Sequence, residues 1–193
     1  MVDFLFYIEQ GLLHVLDFNA LDHVLFFIAL TIVYSFKNWK KAFWLITFFT
    51  IGHSLSFGLS AYDIIYVNVD LVEFLIPITI LTPLILNIYK MIKGDFTIDN
   101  INIYFAGFFG LIHGLGFSNY FKMLLNNGED KLIPLLKFAL GIEFAQIIIV
   151  IIVLSLSHIA IYSIQIKKKY WIIGVSLLVI IRIIPMLINR FPY

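Results

Sequence analysis

His14, Asp22, His23, His53, Glu73, His113, Glu143 and His158 are ionisable side chains set within or at the ends of strongly apolar stretches. A charged group at the centre of a membrane-spanning helix costs about 2.5–3.5 kcal/mol on insertion scales, so a recurring set of them points to function. Neutral imidazole with carboxylate is ligand chemistry for borderline divalent metals such as nickel, cobalt, zinc, iron(II) or copper(II). A bound cation offsets the burial cost, because every ligand gains a positive partner. The chain has no cysteine and only 4 methionines. Thiolate sites, disulfides and cysteine nucleophiles are thereby excluded, and copper(I) is disfavoured. Gln146 lies on the helical face of Glu143 and can bond it or join it as a ligand. Thr50, Ser54, Ser56 and Asn87 are read as interhelical hydrogen-bonding groups around this set, and His158 as an interfacial histidine apart from it.

These residues need apolar helices to carry them. Hydrophobic residues make up 62% of the 193 and charged residues 13%, and the mean hydropathy is +1.00. So much apolar surface cannot be hidden inside one small domain, so the surrounding solvent is lipid. A bilayer core needs roughly 20 apolar residues per helix. Six runs qualify: Ala20–Phe36, Ala42–Ala61, Leu71–Tyr89, Ile101–Phe121, Leu132–Tyr162 and Tyr170–Ile188. Residues 3–16 are short and acidic, and read as an interfacial or re-entrant helix; were they to span, the count would be seven. The expected fold is an all-α polytopic membrane bundle forming a single domain over residues 1–193. The first residues have no basic run and no small-residue cleavage site, so they do not read as a cleavable signal peptide. Net charge is +1 with no basic stripe, which argues against a nucleic-acid partner.

Loop charges orient the bundle. Lys37, Lys40 and Lys41, then Lys90 and Lys93, then Lys167, Lys168 and Lys169 fall in the three odd-numbered loops. The other loops hold Lys122 and Lys131 beside Glu129 and Asp130, or no lysine at all (Asp63–Asp70). The positive-inside rule puts the odd loops in the cytoplasm and both termini outside. All the chemical residues except His158 then fall in the outer half of the membrane. Glycines 107, 110, 114 and 116 have the small-residue spacing of closely packed helices. The tetrapeptides Gly11–His14 and Gly110–His113 are alike, but four residues are too few to establish a repeat.

Taken in order, the motifs resemble those of the HupE/UreJ family of membrane proteins. They are His14-Val-Leu-Asp17 with Leu21-Asp22-His23-Val-Leu-Phe26, Thr50-Ile-Gly-His53-Ser54, Val72-Glu73 with Pro77, Phe109-Gly-Leu-Ile-His113-Gly-Leu-Gly-Phe117, and Gly141-Ile-Glu143-Phe-Ala-Gln146. The match runs from about residue 7 to 150. It departs from the family pattern at Phe117-Ser118-Asn119, where smaller residues are expected. The resemblance implies a nickel or cobalt permease of the bacterial inner membrane, with His14, Asp22, His23, His53, Glu73, His113 and Glu143 handling the metal. A homo-oligomer or a metal-accepting partner is open. In that reading Asp3, Glu9 and Asp17 capture the cation at the outer mouth, and protonation of His23 or His113 is a candidate trigger for release. The alternative is an intramembrane metalloenzyme with a zinc or iron site and Glu73 or Glu143 as general base.

Overall fold

In lipid a backbone N–H or C=O finds no partner outside its own segment, so apolar runs of this length become helices. The computed structural model describes residues 2–17, 21–98, 101–124 and 130–192. Seven α-helices form among them and no strand: α1 (Val2–Leu16), α2 (Asp22–Thr31), α3 (Trp39–Ala61), α4 (Val69–Lys93), α5 (Ile101–Leu124), α6 (Leu132–His158) and α7 (Lys168–Asn189). Glu129 lies outside the described residues, as do the side chains of Asp3, Ser118, Asn119 and Lys122.

The chain is an all-helical, multi-pass membrane protein. Helices α3, α4, α6 and α7 are long and apolar enough to cross a bilayer, and α5 has 24 residues with an apolar stretch over Asn102–Phe117. Large apolar side chains point outward, among them Trp44, Ile85, Ile151 and Ile181. That inside-out distribution suits a lipid solvent.

The first run departs from expectation. Instead of one helix over Ala20–Phe36, the helix covers only Asp22–Thr31. Ten residues rise about 15 Å, half of a hydrocarbon core of roughly 30 Å. Helix α1 supplies the remaining depth. Its Tyr7 ring meets Phe121 near the end of α5, whereas His14 reaches the level of His53 and Phe117. Helix α2 continues from His23, and beyond its end Phe36 packs against His158 at the lysine-rich end of the bundle. The end of α1 and the start of α2 thus both lie beside the candidate ligands, and neither helix alone is long enough to cross a bilayer.

Glycines set the closest helix contacts. A Cβ on Gly110 would strike the Phe49 carbonyl, one on Gly52 the Gly107 carbonyl, and one on Gly114 the His53 carbonyl, so α3 and α5 meet backbone to backbone. Helices α1 and α6 meet in the same way: a Cβ on Gly11 would strike the Phe138 carbonyl, and one on Gly141 the Ile8 carbonyl. The two contacts are reciprocal and equivalent. Gly11 and Gly110 each face a phenylalanine carbonyl, and the glycine three residues after that phenylalanine faces back. The likeness of Gly11–His14 to Gly110–His113 thus has a structural counterpart that four residues of sequence could not establish.

Two threonine rungs join α3 to α6: Thr47 Oγ1 donates to Glu143 Oε1 at 2.8 Å and Thr50 Oγ1 to Gln146 Oε1 at 2.9 Å. Asn87 Nδ2 donates to the Ala29 carbonyl at 2.8 Å and ties α4 to α2.

Gly110→Ala is expected to cost at least about 1–3 kcal/mol through overpacking, read as a lower Tm in detergent. Gly174→Ala, where an added Cβ meets nothing within 4 Å, should show no loss. Equal Tm values for the two variants would contradict the close approach of α3 and α5.

Candidate metal centre

Four histidines from four helices converge. The His23 ring stands 4.7 Å from His14, 5.7 Å from His53 and 5.4 Å from His113, and His14 is 6.0 Å from His53, between ring centroids. One ring nitrogen from each of His14, His23 and His53 lies within 4.8 Å of the others. Nitrogens bound at about 2.0–2.1 Å around a tetrahedral ion are roughly 3.4 Å apart. The rings therefore need only a small contraction to close on a cation.

Their positions follow from the close contacts just described. His53 follows Gly52, and His113 and His14 each stand three residues after a contact glycine. His23 is the second residue of α2, immediately after the break. His23, His53 and His113 are buried, and phenylalanines line the cluster. Phe117 lies against His14 at 3.6 Å, and Phe26 and Phe49 against His113 at 5.0 and 5.4 Å.

The ring nitrogens are short of partners. His14 Nε2, His23 Nε2, both nitrogens of His53 and His113 Nδ1 are buried without a hydrogen bond. Each such group costs about 1–3 kcal/mol, and their concentration in one place is what a ligand set shows. For His113 the hydrogen bonds also fix the tautomer. The Thr79 hydroxyl donates to the Ile76 carbonyl at 2.6 Å and lies 2.9 Å from His113 Nε2. Its single proton is committed to Ile76, so Nε2 is the donor to Thr79 and Nδ1 keeps its lone pair. A hydrogen bond that orients a ligating imidazole in this way raises its basicity and holds its ring. Pro77 and Pro83 flank Thr79 within α4 and locally interrupt the helical hydrogen bonding there.

The remaining predicted residues divide. Asp22 is buried beside His23, and its Oδ2 accepts from Arg190 Nη1 at 2.9 Å. Glu73 is exposed, on the rim of a cavity of about 810 Å³ that His14, Asp22, His23, His113 and Arg190 also line. His53 is fully buried. Glu143 and Gln146 stand outside the histidine group, engaged by Thr47 and Thr50. Gln146 Nε2 is buried without a partner. Ser56 Oγ donates to the His53 carbonyl at 3.2 Å. His158 is exposed and packs on Tyr162 at 4.7 Å. Glu9 and Asp17 are exposed on α1 and beside its end.

Thr79 and Arg190 are the neighbours that residue types did not single out. Thr79 could have been noticed as a hydroxyl inside the α4 run. Arg190 is 168 positions from Asp22, and nothing in their spacing links them.

An all-helical, multi-pass membrane protein with a buried histidine cluster is the class defined by these features. The family model described as HupE / UreJ protein matches residues 1–190, and the chain belongs to that family. Neither the curated proteins nor the solved structures gave a match.

Thr79→Val removes the acceptor of His113 Nε2 and is expected to weaken divalent-metal binding about 10–100-fold, measured by calorimetric titration of the purified protein. Thr82→Val is the comparison, because its hydroxyl bonds the Ile78 carbonyl of its own helix. Equal losses in both variants would remove Thr79 from the centre.

Proposed function

We propose that this protein carries a divalent transition-metal cation across the membrane, with nickel or cobalt as the leading candidates and zinc or iron(II) also suited to these ligands. The observation that carries the proposal is the meeting of His14, His23, His53 and His113, with their unpartnered ring nitrogens, inside an apolar bundle. Asp22 adds the anionic charge, and Glu73 at the rim, with Glu9 and Asp17, attracts the cation toward the cavity. Glu143 and Gln146 on α6 are held by Thr47 and Thr50 of α3 and have no assigned part in the site. Membership of a family known for nickel and cobalt transport supports the same reading.

A carrier is favoured over an open channel. The 810 Å³ cavity reaches the histidines from one end, and a second cavity of about 210 Å³ lies toward the lysine-rich end, lined by Ala29, Asn87, Lys90, Phe109 and Lys168. Phe26 bridges the two levels, 5.0 Å from His113 and 5.9 Å from Phe109. Passage then requires the aromatic layer to part, as in alternating access about a central site. By the positive-inside rule the lysine-rich end faces the cytoplasm, in a bacterial inner membrane.

The test is flux. Liposomes containing the protein and a metal-sensitive dye should admit nickel or cobalt, and His53→Ala should abolish admission. Stoichiometric binding without flux would reject the carrier and leave a metalloenzyme as the reading to pursue. Protons compete with metal for imidazole lone pairs, so binding should weaken as pH falls. Binding indifferent to pH between about 5 and 8 would reject imidazole ligation.

A further inference from the structure

We infer that Arg190 is a built-in counter-cation of the metal centre: it holds Asp22 while the site is free of metal, yields it to an arriving cation, and by competing for it keeps the ion releasable. The inference rests on the divalent-metal reading above.

A permanent positive charge facing a cation site needs an explanation. Arg190 stands at the C-terminal end of α7, and its guanidinium lines the same cavity as His14, His23, His113 and Glu73. An arginine does not lose its proton in proteins. Its field therefore opposes any cation that enters, unless a carboxylate screens it. Asp22 is the carboxylate that does so, through the 2.9 Å contact from Nη1 to Oδ2. The side chains are 25% and 11% exposed, which places the pair at the boundary between cavity and protein interior.

The pairing is one-ended. Arginine and carboxylate built to stay together usually engage through two parallel N–H···O bonds. Here Asp22 Oδ1 is buried and has no donor, so half of the carboxylate remains available to a second cation. Asp22 and His23, the first two residues of α2, both line this cavity, so a metal held there by His23 is open to the same carboxylate. When it takes Asp22, the guanidinium must withdraw. It can do so by side-chain rotation alone, while the Arg190 backbone N–H stays bonded to the Met186 carbonyl at 3.1 Å. The neighbouring Phe191 packs on Phe74 of α4 with ring centroids 5.2 Å apart.

The consequence concerns release. A site of three or four imidazoles and a carboxylate binds nickel or cobalt tightly, whereas transport requires the ion to leave. A tethered cation that re-forms its pair with Asp22 lowers affinity without removing any ligand. Selectivity for divalent over monovalent ions follows too, because only the larger charge competes well with the guanidinium.

The experiment is a double-variant cycle in the full-length protein. Nickel binding is titrated by calorimetry, and flux is measured in dye-loaded liposomes, for the wild type, Arg190→Gln, Asp22→Asn, the double variant and His53→Ala. Arg190→Gln should bind nickel at least about tenfold tighter and turn over more slowly at saturating nickel. In the Asp22→Asn background the unpaired guanidinium should weaken binding, and adding Arg190→Gln should recover part of that loss. Unchanged or weaker binding in a folded Arg190→Gln protein would overturn the inference, as would a slower turnover without tighter binding. If Arg190→Gln does not fold, Asp22→Asn against the double variant decides: no recovery overturns it. A wild type that binds no nickel, or binds it equally without His53, would reject the metal reading and this inference together. His53-dependent binding with no gain in Arg190→Gln would reject the role of Arg190 alone.

Discussion

Where Gly52, Gly110 and Gly114 leave no side chain between α3 and α5, the two backbones meet, and His53 and His113 are brought in with them. The same contact between Gly11 and Gly141 seats α1 on α6 and places His14. In a bilayer there is little hydrophobic force to draw helices together, so close van der Waals packing through small residues has to supply the association. The histidine cluster therefore depends on glycines that carry no chemistry. Adding one methyl group at either contact would push the helices apart by on the order of 1 Å, more than the roughly 0.2 Å tolerance of metal–ligand distances.

Burial then gives the cluster its character. Phenylalanines at positions 26, 49 and 117 surround the imidazoles and keep the local dielectric low. In such surroundings unpartnered ring nitrogens are costly, and a cation that satisfies several at once offsets that cost. Thr79 prepares one ring for this by accepting from Nε2 and leaving Nδ1 free. Beside the cluster, Asp22 is paired with Arg190 at 2.9 Å.

The two equivalent contacts also relate distant parts of the chain. Helix α1 lies against α6, and α5 against α3. Helices α4 and α7 pack on one another. Three of the four histidines, His14, His53 and His113, come from the helices of the two glycine contacts. The end of α1 at Leu16 and the start of α2 at Asp22 both lie beside the histidines.

Membrane embedding, helical class and the approximate boundaries of five helices, four of them long and apolar enough to span, were legible from composition and run length, since lipid leaves an apolar segment no other backbone solution. Ionisable residues inside those runs also marked the histidines, because their insertion cost stands out against an apolar background. Run length failed for Ala20–Phe36. Hydropathy counts apolar residues and does not register a break that neighbouring helices stabilise. Residue type could not separate His14, His23, His53 and His113, which meet, from Glu143 and Gln146, which α3 threonines engage. Helix rotation decides that, and it is set by the glycine contacts. The pairing of Asp22 with Arg190 was equally invisible, since it joins the first span to the last through nothing but the packing of the bundle.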